Sequence, residues 1–261
     1  MTEYFVAVDY AQLEARILAM LSKDEVFCHA LWNGLDIHEK WALRALQAEP
    51  DLLNILEFNK KDDKDNLKDL RSWTKNKWVF ALFYGAGLKS VSTSMHLDIN
   101  VVKDIIENEF KKEYPGVFSW QDEQMQFYKE HFYIESFFGR RRHAPLSKNE
   151  IINHPIQSTA SDIVTSAGYR LAKYAYFTKQ NRFQWRLNVH DDISSSIAEK
   201  TLSKDILFIA KEMVRPLWDF IIVPLGVEVS IGTHWGSIEE IQKYYTTDFW
   251  DYVGEGIWRE K

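Results

Sequence analysis

The strand-forming segments of this chain lie far apart in sequence, and that separation limits what it can fold into. Glu3 to Asp9 (EYFVAVD) alternates loosely and is rich in β-formers, which predicts a strand ending at Asp9. The next such run, Tyr133 to Phe138 (YIESFF), follows a long stretch dense in helix signals. Trp185 to Val189 and Ile193 to Ile197 predict a hairpin with His190, Asp191 and Asp192 at its tip, and Val227 to Ile231 predicts a last strand. The order is strand, helical insert, strand, long helix, hairpin, helix, strand. It predicts an α+β fold, a small and mainly antiparallel sheet with helices beside it.

The helical stretches carry their own punctuation. Residues 11–56 are dense in Ala, Leu and Glu and read as several helices, one of them opened near its first turn by Pro50. Residues 66–84 read as one long helix stopped by Gly85 and Gly87. Residues 98–131 give two helices around the Pro115-Gly116 break, residues 149–178 a long one with Pro155 near its start, and residues 202–219 another. The mixed-sign run Lys60 to Lys68 reads as a solvated loop or helix end, and Gly139 as the start of a turn carrying Arg140, Arg141 and Arg142.

At 261 residues the chain is one large domain or two entangled ones. With 46% hydrophobic and 27% charged residues it is globular, and general disorder is excluded. The longest apolar run, Trp78 to Tyr84, is far short of the ~20 residues of a membrane helix. No membrane partner and a cytoplasmic location are therefore expected. The single cysteine, Cys28, excludes an internal disulfide and a Cys-rich zinc site. The net charge of −6 argues against a surface coated in basic residues, but not against one basic groove. Aromatic content is 15%, with ten Trp, most of them expected in the core and some able to stack on bases.

Four groups of residues bear on chemistry. Asp9 and Asp191 sit at predicted strand ends 182 positions apart (191 − 9). If their strands are neighbours, the carboxylates converge, and carboxylate oxygens suit Mg²⁺ or a pair of such ions. Asp is also a common turn residue. On the 66–84 helix, Arg71 and Lys75 share a face, as do Phe80 and Tyr84. Basic groups followed by rings suit a nucleoside triphosphate, and equally an ordinary helix with a solvated basic end. Gly139 to Arg142 (GRRR) suits phosphate contacts or is a plain surface cluster. Asn153 and Gln157, at i and i+4, can reach minor-groove acceptors, while Asn153 can also serve as a helix cap.

These segments, taken in order, resemble the family A DNA polymerases, the group of bacterial DNA polymerase I. DYAQLEAR (Asp9 to Arg16) is similar to the family's first polymerase motif, and GLDIH (Gly34 to His38) follows it. The helix ending FALFYGAG is similar to the fingers helix. SFFGRRR (Ser136 to Arg142), NHPIQSTASD (Asn153 to Asp162), VHDD (Val189 to Asp192) and VPLGVEVSIGTHW (Val223 to Trp235) resemble the following segments. The resemblance runs from about residue 5 to 238.

The resemblance implies template-directed DNA synthesis on a palm with a helical fingers insertion and no thumb. Residues 1–18 and 136–238 would be palm, residues 19–135 fingers, and residues 239–261 an extension without an assigned role. It implies that Asp9 and Asp191 hold two Mg²⁺ ions, which Mn²⁺ can replace, with the Tyr10 carbonyl assisting and Asp192 beside them. Glu14 would be the steric gate against a ribose 2′-OH, supported by Gln12. His38, Arg71 and Lys75 would contact the triphosphate, Phe80 would pack near the sugar, and Tyr84 would lie by the nascent base pair. Asn153, Gln157 and His190 would line the minor groove of a primer–template, with Arg140 and Arg141 on its phosphates. The partners implied are primer–template DNA, dNTPs and a separate thumb-containing chain, in an enzyme of phage type. A single-subunit RNA polymerase and a non-catalytic DNA-binding fragment are the alternatives.

Four departures from the family pattern stand out. The family's fingers lysine lies four residues before the aromatic; here Lys75 lies five before Phe80 and Asn76 takes the expected place. Either a one-residue bulge restores Lys75, or Lys77 takes the role. Asp192 stands where the family usually has Glu. Asn149, beside Lys148, stands where it often has Arg. The thumb and first palm strands, which precede the first motif in the family, are missing, and the palm edges and apolar surface so exposed would need a partner.

Overall fold

The structure, a computed structural model, describes residues 2–58, 62–178 and 183–261. Along the chain, β1 (Glu3–Tyr10) leads into α1 (Leu13–Ser22), α2 (Glu25–Trp32), α3 (Ile37–Ala48) and α4 (Leu52–Ile55). Next come α5 (Asp63–Thr74), a π-helical turn (Lys75–Val79) and α6 (Phe80–Phe83), one continuous helix. α7 (Leu88–Met95), α8 (Ile99–Ile105), a second π turn (Ile106–Phe110), α9 (Lys111–Glu113) and α10 (Pro115–His131) follow. The remainder is β2 (Tyr133–Glu135), β3 (Arg141–His143), α11 (Lys148–Thr178), β4 (Phe183–Val189), β5 (Asp192–Ala198), α12 (Leu202–Met213), β6 (Gly226–Gly232), β7 (Glu239–Tyr245), α13 (Thr246–Phe249), β8 (Trp250–Gly254) and β9 (Ile257–Glu260).

The chain divides into two compact units. The first holds residues 1–21, 136–140 and 156–261; the second holds 22–135 and 141–155. The first is built on an antiparallel sheet of order β4-β5-β1-β6-β7, so the earliest strand lies at its centre. Val6 and Val8 of β1, Ile193 and Ile197 of β5, Val227 and Val229 of β6, and Ile209 and Met213 of α12 are all buried there. Their spacing of two or four on the strands, always an even number, and four on the helix is what a half-covered sheet with a helix against it requires.

The second unit is helical around an aromatic core. Trp41 lies 4.6 Å from Phe110 between ring centroids, Phe83 5.4 Å from Phe110, Phe27 4.9 Å from Phe83, and Phe110 5.1 Å from Tyr114. Aspartates start its helices. Asp24 accepts from the Phe27 N–H at 2.9 Å, Asp36 from the His38 and Glu39 N–H groups at 3.0 Å, and Asp98 from the Asn100 N–H at 2.8 Å. Each satisfies backbone donors that a helix leaves open. Asp62 caps α5 in the same way, so the described part of the charged run is a helix end, while Lys60 and Lys61 lie outside the described residues.

Several expectations need correction. Pro50 precedes the N-cap of α4 rather than lying in its first turn. The strand at Tyr133 stops at Glu135, and Arg141 and Arg142 pair with β2 as strand residues rather than riding in the turn. α12 ends at Met213 instead of running to residue 219. Val227–Ile231 is not the last strand, because residues 239–245 add β7 to the sheet and β8–β9 form a further hairpin. Among the described residues no helix is long and apolar enough to cross a membrane.

Candidate active site

In the first unit, the chemistry gathers at one end of the central strand. Asp9 is opposite Asp192 in the β1–β5 register and opposite Glu228 in the β1–β6 register. His190 and Asp191 make the turn between β4 and β5, with His190 in the left-handed region at φ 55°. The Tyr10 N–H points to the Asp191 carbonyl at 3.4 Å, tying that turn to the end of β1. Asn188 Nδ2 donates to the Asp192 carbonyl at 2.9 Å, and the Ser194 hydroxyl donates to the Asp192 carboxylate.

Burial first, then the neighbouring charges of Asp191, Asp192 and Glu228, push the Asp9 carboxyl up to about 7. Burial and the charge of Asp191 also raise Asp192, against the Ser194 hydrogen bond. Carboxylates that resist ionising side by side form a site that gains from a cation. Among the described residues no group of three or more His, Cys, Asp or Glu side chains is placed to hold a metal ion by itself. An open site fits Mg²⁺, which usually binds through one or two carboxylates plus water and substrate phosphate. Glu228 is held by Lys243 Nζ of β7 at 2.5 Å.

The side chain of Tyr10 is buried and its hydroxyl donates to the Met213 carbonyl at 2.6 Å, which leaves only its main chain for the site. Gln12 is exposed at φ 56°, and Glu14, half-buried, opens α1. In this unit Arg140 pairs with Asp162, and Gln157 and His190 are exposed.

The second unit carries a separate cluster. The Arg71 guanidinium pairs with Asp36, the residue that caps α3, and His38 lies in the first turn of that helix. Burial raises the Asp36 carboxyl, but the hydrogen bonds from Arg71 and the Glu39 N–H outweigh it and hold it below the usual carboxylate range. His38 is 3% exposed, with its ring edge-on to Phe80 at 5.1 Å. Burial, then the charge of Lys75, depress it to about 4 against the pull of Asp36, so its imidazole is neutral at pH 7. Its Nδ1 is buried without a hydrogen-bond partner. Phe80 stacks on Tyr84 at 5.7 Å.

The π turn resolves the spacing of the lysines. The Phe80 N–H bonds to the Lys75 carbonyl, an i→i+5 link that absorbs one residue. Lys75 Nζ thus lies 5.5 Å from the Phe80 ring, whereas Lys77 Nζ lies 5.4 Å from the Trp73 ring. Elsewhere in this unit Arg141 pairs with Glu135 and covers the Tyr133 ring at 4.5 Å, Arg142 bonds Glu150 at 2.5 Å, and Asn153 Oδ1 is buried without a partner.

Sequence reasoning missed Glu228, Asp36 and Lys243. The alternation of GVEVSIG marks Glu228 as a polar residue in a strand, but only the register sets it opposite Asp9. Asp36 shows as a helix cap signal, with nothing in the sequence pairing it to Arg71.

The chain matches DNA polymerase family A over residues 1–237. It is 27% identical over 247 residues to DNA polymerase I of Chloroflexus aurantiacus, covering 91% of this chain and 24% of that protein. It is 28% identical over 248 residues to the thermostable DNA polymerase I of Thermus aquaticus, covering 90% of this chain and 27% of that protein. The fold is also that of the POL domain of Pol1 from M. smegmatis, solved in complex with DNA primer-template and dNTP. That match has a TM-score of 0.73 at 23% identity and covers 89% of this chain and 40% of that one. The chain belongs to DNA polymerase family A. It spans about a quarter of the length of these curated relatives.

Proposed function

We propose that this chain carries the catalytic palm and fingers chemistry of a DNA-directed DNA polymerase, adding dNTPs to a primer 3′-OH on a DNA template. The observation that carries the reading is the carboxylate cluster, with Asp9 in register with Asp192 and tied through Tyr10 to Asp191. On this reading the first unit is the palm and the second the fingers. Asp9 and Asp191 hold Mg²⁺ with the Tyr10 carbonyl, and Asp192 adds negative charge beside them. When bound, Mg²⁺ stabilises the attacking and leaving oxygens of the phosphoryl transfer.

Arg71 and Lys75 neutralise the triphosphate, and neutral His38 donates a hydrogen bond without adding charge. Phe80 packs on the sugar and Tyr84 beside the new base pair. Glu14, braced by Gln12, obstructs a 2′-OH and selects dNTPs over NTPs. Asn153, Gln157 and His190 read the minor groove, while Arg140 and Arg141 leave their carboxylate partners for DNA phosphates. A thumb-bearing segment, on this polypeptide or another, grips the duplex. Cys28, the single cysteine, supports a reducing, cytoplasmic setting.

Primer extension by the purified chain with Mg²⁺ and dNTPs, with and without a thumb-bearing segment, tests this reading. Extension in either arm supports it, and extension only with the segment present supports the need for a thumb. Duplex binding without extension in both arms would leave a non-catalytic fragment instead. Preference for NTPs would point to RNA synthesis.

A further inference from the structure

The last segment of the chain, beyond the residues matched to the family, is wired to the strand that carries Asp9. Tyr245 ends β7 opposite Gly226 of β6. A Cβ at Gly226 would meet Tyr245 Cε1 at 2.6 Å, so the absent side chain is what lets the ring lie across β6. There the ring meets the Arg16 guanidinium, 5.4 Å from its centroid. Arg16 is 5% exposed and faces away from solvent. Its Nε donates to the Ala11 carbonyl at 2.9 Å and its Nη1 to the Pro224 carbonyl at 2.5 Å. The Ala11 N–H in turn donates to the Gly226 carbonyl at 2.8 Å.

Ala11 lies two residues after Asp9, where β1 ends and the chain turns into α1. The guanidinium therefore clamps the turn directly behind the carboxylate cluster, and the Tyr245 ring holds the guanidinium. The next residue fixes the ring's backbone. Thr246 is fully buried, its hydroxyl donates to the Val214 carbonyl at 2.9 Å, and its Oγ1 accepts from the Leu225 N–H at 2.9 Å. Lys243, two residues before Tyr245, bonds Glu228, the β6 residue paired with Asp9. β7 thus reaches, through β6, both the residue across from Asp9 and the clamp behind the end of β1.

We propose that Tyr245 is a positioning residue for the metal-binding end of β1, acting through Arg16, so that residues 239–246 form an outer support of the catalytic centre. The inference rests on the polymerase reading for its kinetic consequence, but not for its effect on metal affinity. Groups that orient metal ligands typically change affinity by about 10–100-fold when removed.

The test is Mn²⁺ affinity, read by electron paramagnetic resonance of free Mn²⁺, alongside single-nucleotide incorporation with the thumb-bearing segment present. Tyr245→Leu is expected to weaken Mn²⁺ binding about tenfold and lower kcat about tenfold, with KM for dNTP within about twofold of wild type. Tyr245→Phe, which keeps the ring, restores both. Trp258→Leu, which removes a 2.7 Å hydrogen bond to the Ile221 carbonyl, lowers Tm but leaves Mn²⁺ affinity alone. If Tyr245→Leu does not fold, Arg16→Lys gives the same weakening by losing the two-carbonyl fork. Wild-type Mn²⁺ affinity in Tyr245→Leu (or in Arg16→Lys, if that variant stands in), or equal weakening in Trp258→Leu, would overturn the proposal. A wild-type chain that binds Mn²⁺ but never extends a primer would defeat the polymerase reading, and the affinity series would still decide the role of Tyr245.

Discussion

Asp9 and Asp192 lie directly opposite one another across the β1–β5 pair, although 183 positions (192 − 9) separate them in the chain. Their proximity follows from an antiparallel register that sets the end of the first strand beside the tip of a hairpin. The same register sets Asp9 against Glu228 on its other side. Negative charge is thereby concentrated at one end of the sheet's three inner strands, at a cost the fold bears without a cation.

That cost predicts a pH-dependent stability. The Asp9 carboxyl titrates near 7 in the folded chain, above its ordinary value of 3.8. The native state therefore binds its proton more tightly than the unfolded state, and the stabilisation it brings is lost as pH rises from about 4 through about 7. Asp9 is solvent-accessible, so screening reduces the effect. In EDTA, Asp9→Asn is expected to raise Tm at pH 8 by about 2–4 °C relative to its effect at pH 5, and Mg²⁺ to shrink that gain. A pH-independent difference in thermal unfolding would contradict this.

His38 predicts the opposite slope. Its folded value of about 4 lies below the ordinary 6.5, so the unfolded chain takes up the proton first. Stability from its neutral burial is complete above about pH 6.5 and is lost as pH falls toward 4. Urea unfolding of wild type and His38→Gln at pH 7 and pH 4.5 checks it. The wild type should lose up to about 3 kcal/mol more than the variant on acidification.

The π turn predicts which lysine matters. Lys75→Ala should raise KM for dNTP about 10–100-fold, the loss of one charged contact, while Lys77→Ala stays within about twofold. Steady-state single-nucleotide kinetics on both variants decides. The reverse ranking would mean that the i→i+5 link does not set the working register.

The aromatic core of the helical unit predicts a stability cost remote from chemistry. Trp41 and Phe110 are at most 2% exposed and pack against one another with their rings tilted by 58°. Phe110→Ala should destabilise by about 3–5 kcal/mol in urea unfolding. A cost below about 1 kcal/mol would show that the second π turn relaxes into the cavity.

Much of this was legible in the sequence. The first strand, the hairpin with Asp191 at its tip and the long 31-residue helix α11 all follow from periodicity and turn residues. The π turn at Lys75–Val79 showed only against the family's spacing, as one residue too many between Lys75 and Phe80, with Lys77 as the other candidate. Residues whose role comes from pairing across distance were not legible. Glu228 reads as an ordinary strand residue until β6 is set beside β1. Arg141 reads as part of a basic turn, and the short β2–β3 pairing instead sets it against Glu135 and Tyr133. The last strand of the five-stranded sheet, β7, is polar and exposed along most of its length, so it lacks the apolar alternation that marks a half-buried strand.

The most direct measurement is single-turnover primer extension by Asp191→Asn beside the wild type, in Mg²⁺, with dNTPs and the thumb-bearing segment present. The account predicts that the wild type extends the primer and the variant is slower by about 10³-fold or more at unchanged duplex affinity. Extension by Asp191→Asn at the wild-type rate would contradict it, because the carboxylate cluster would then not be the catalytic centre.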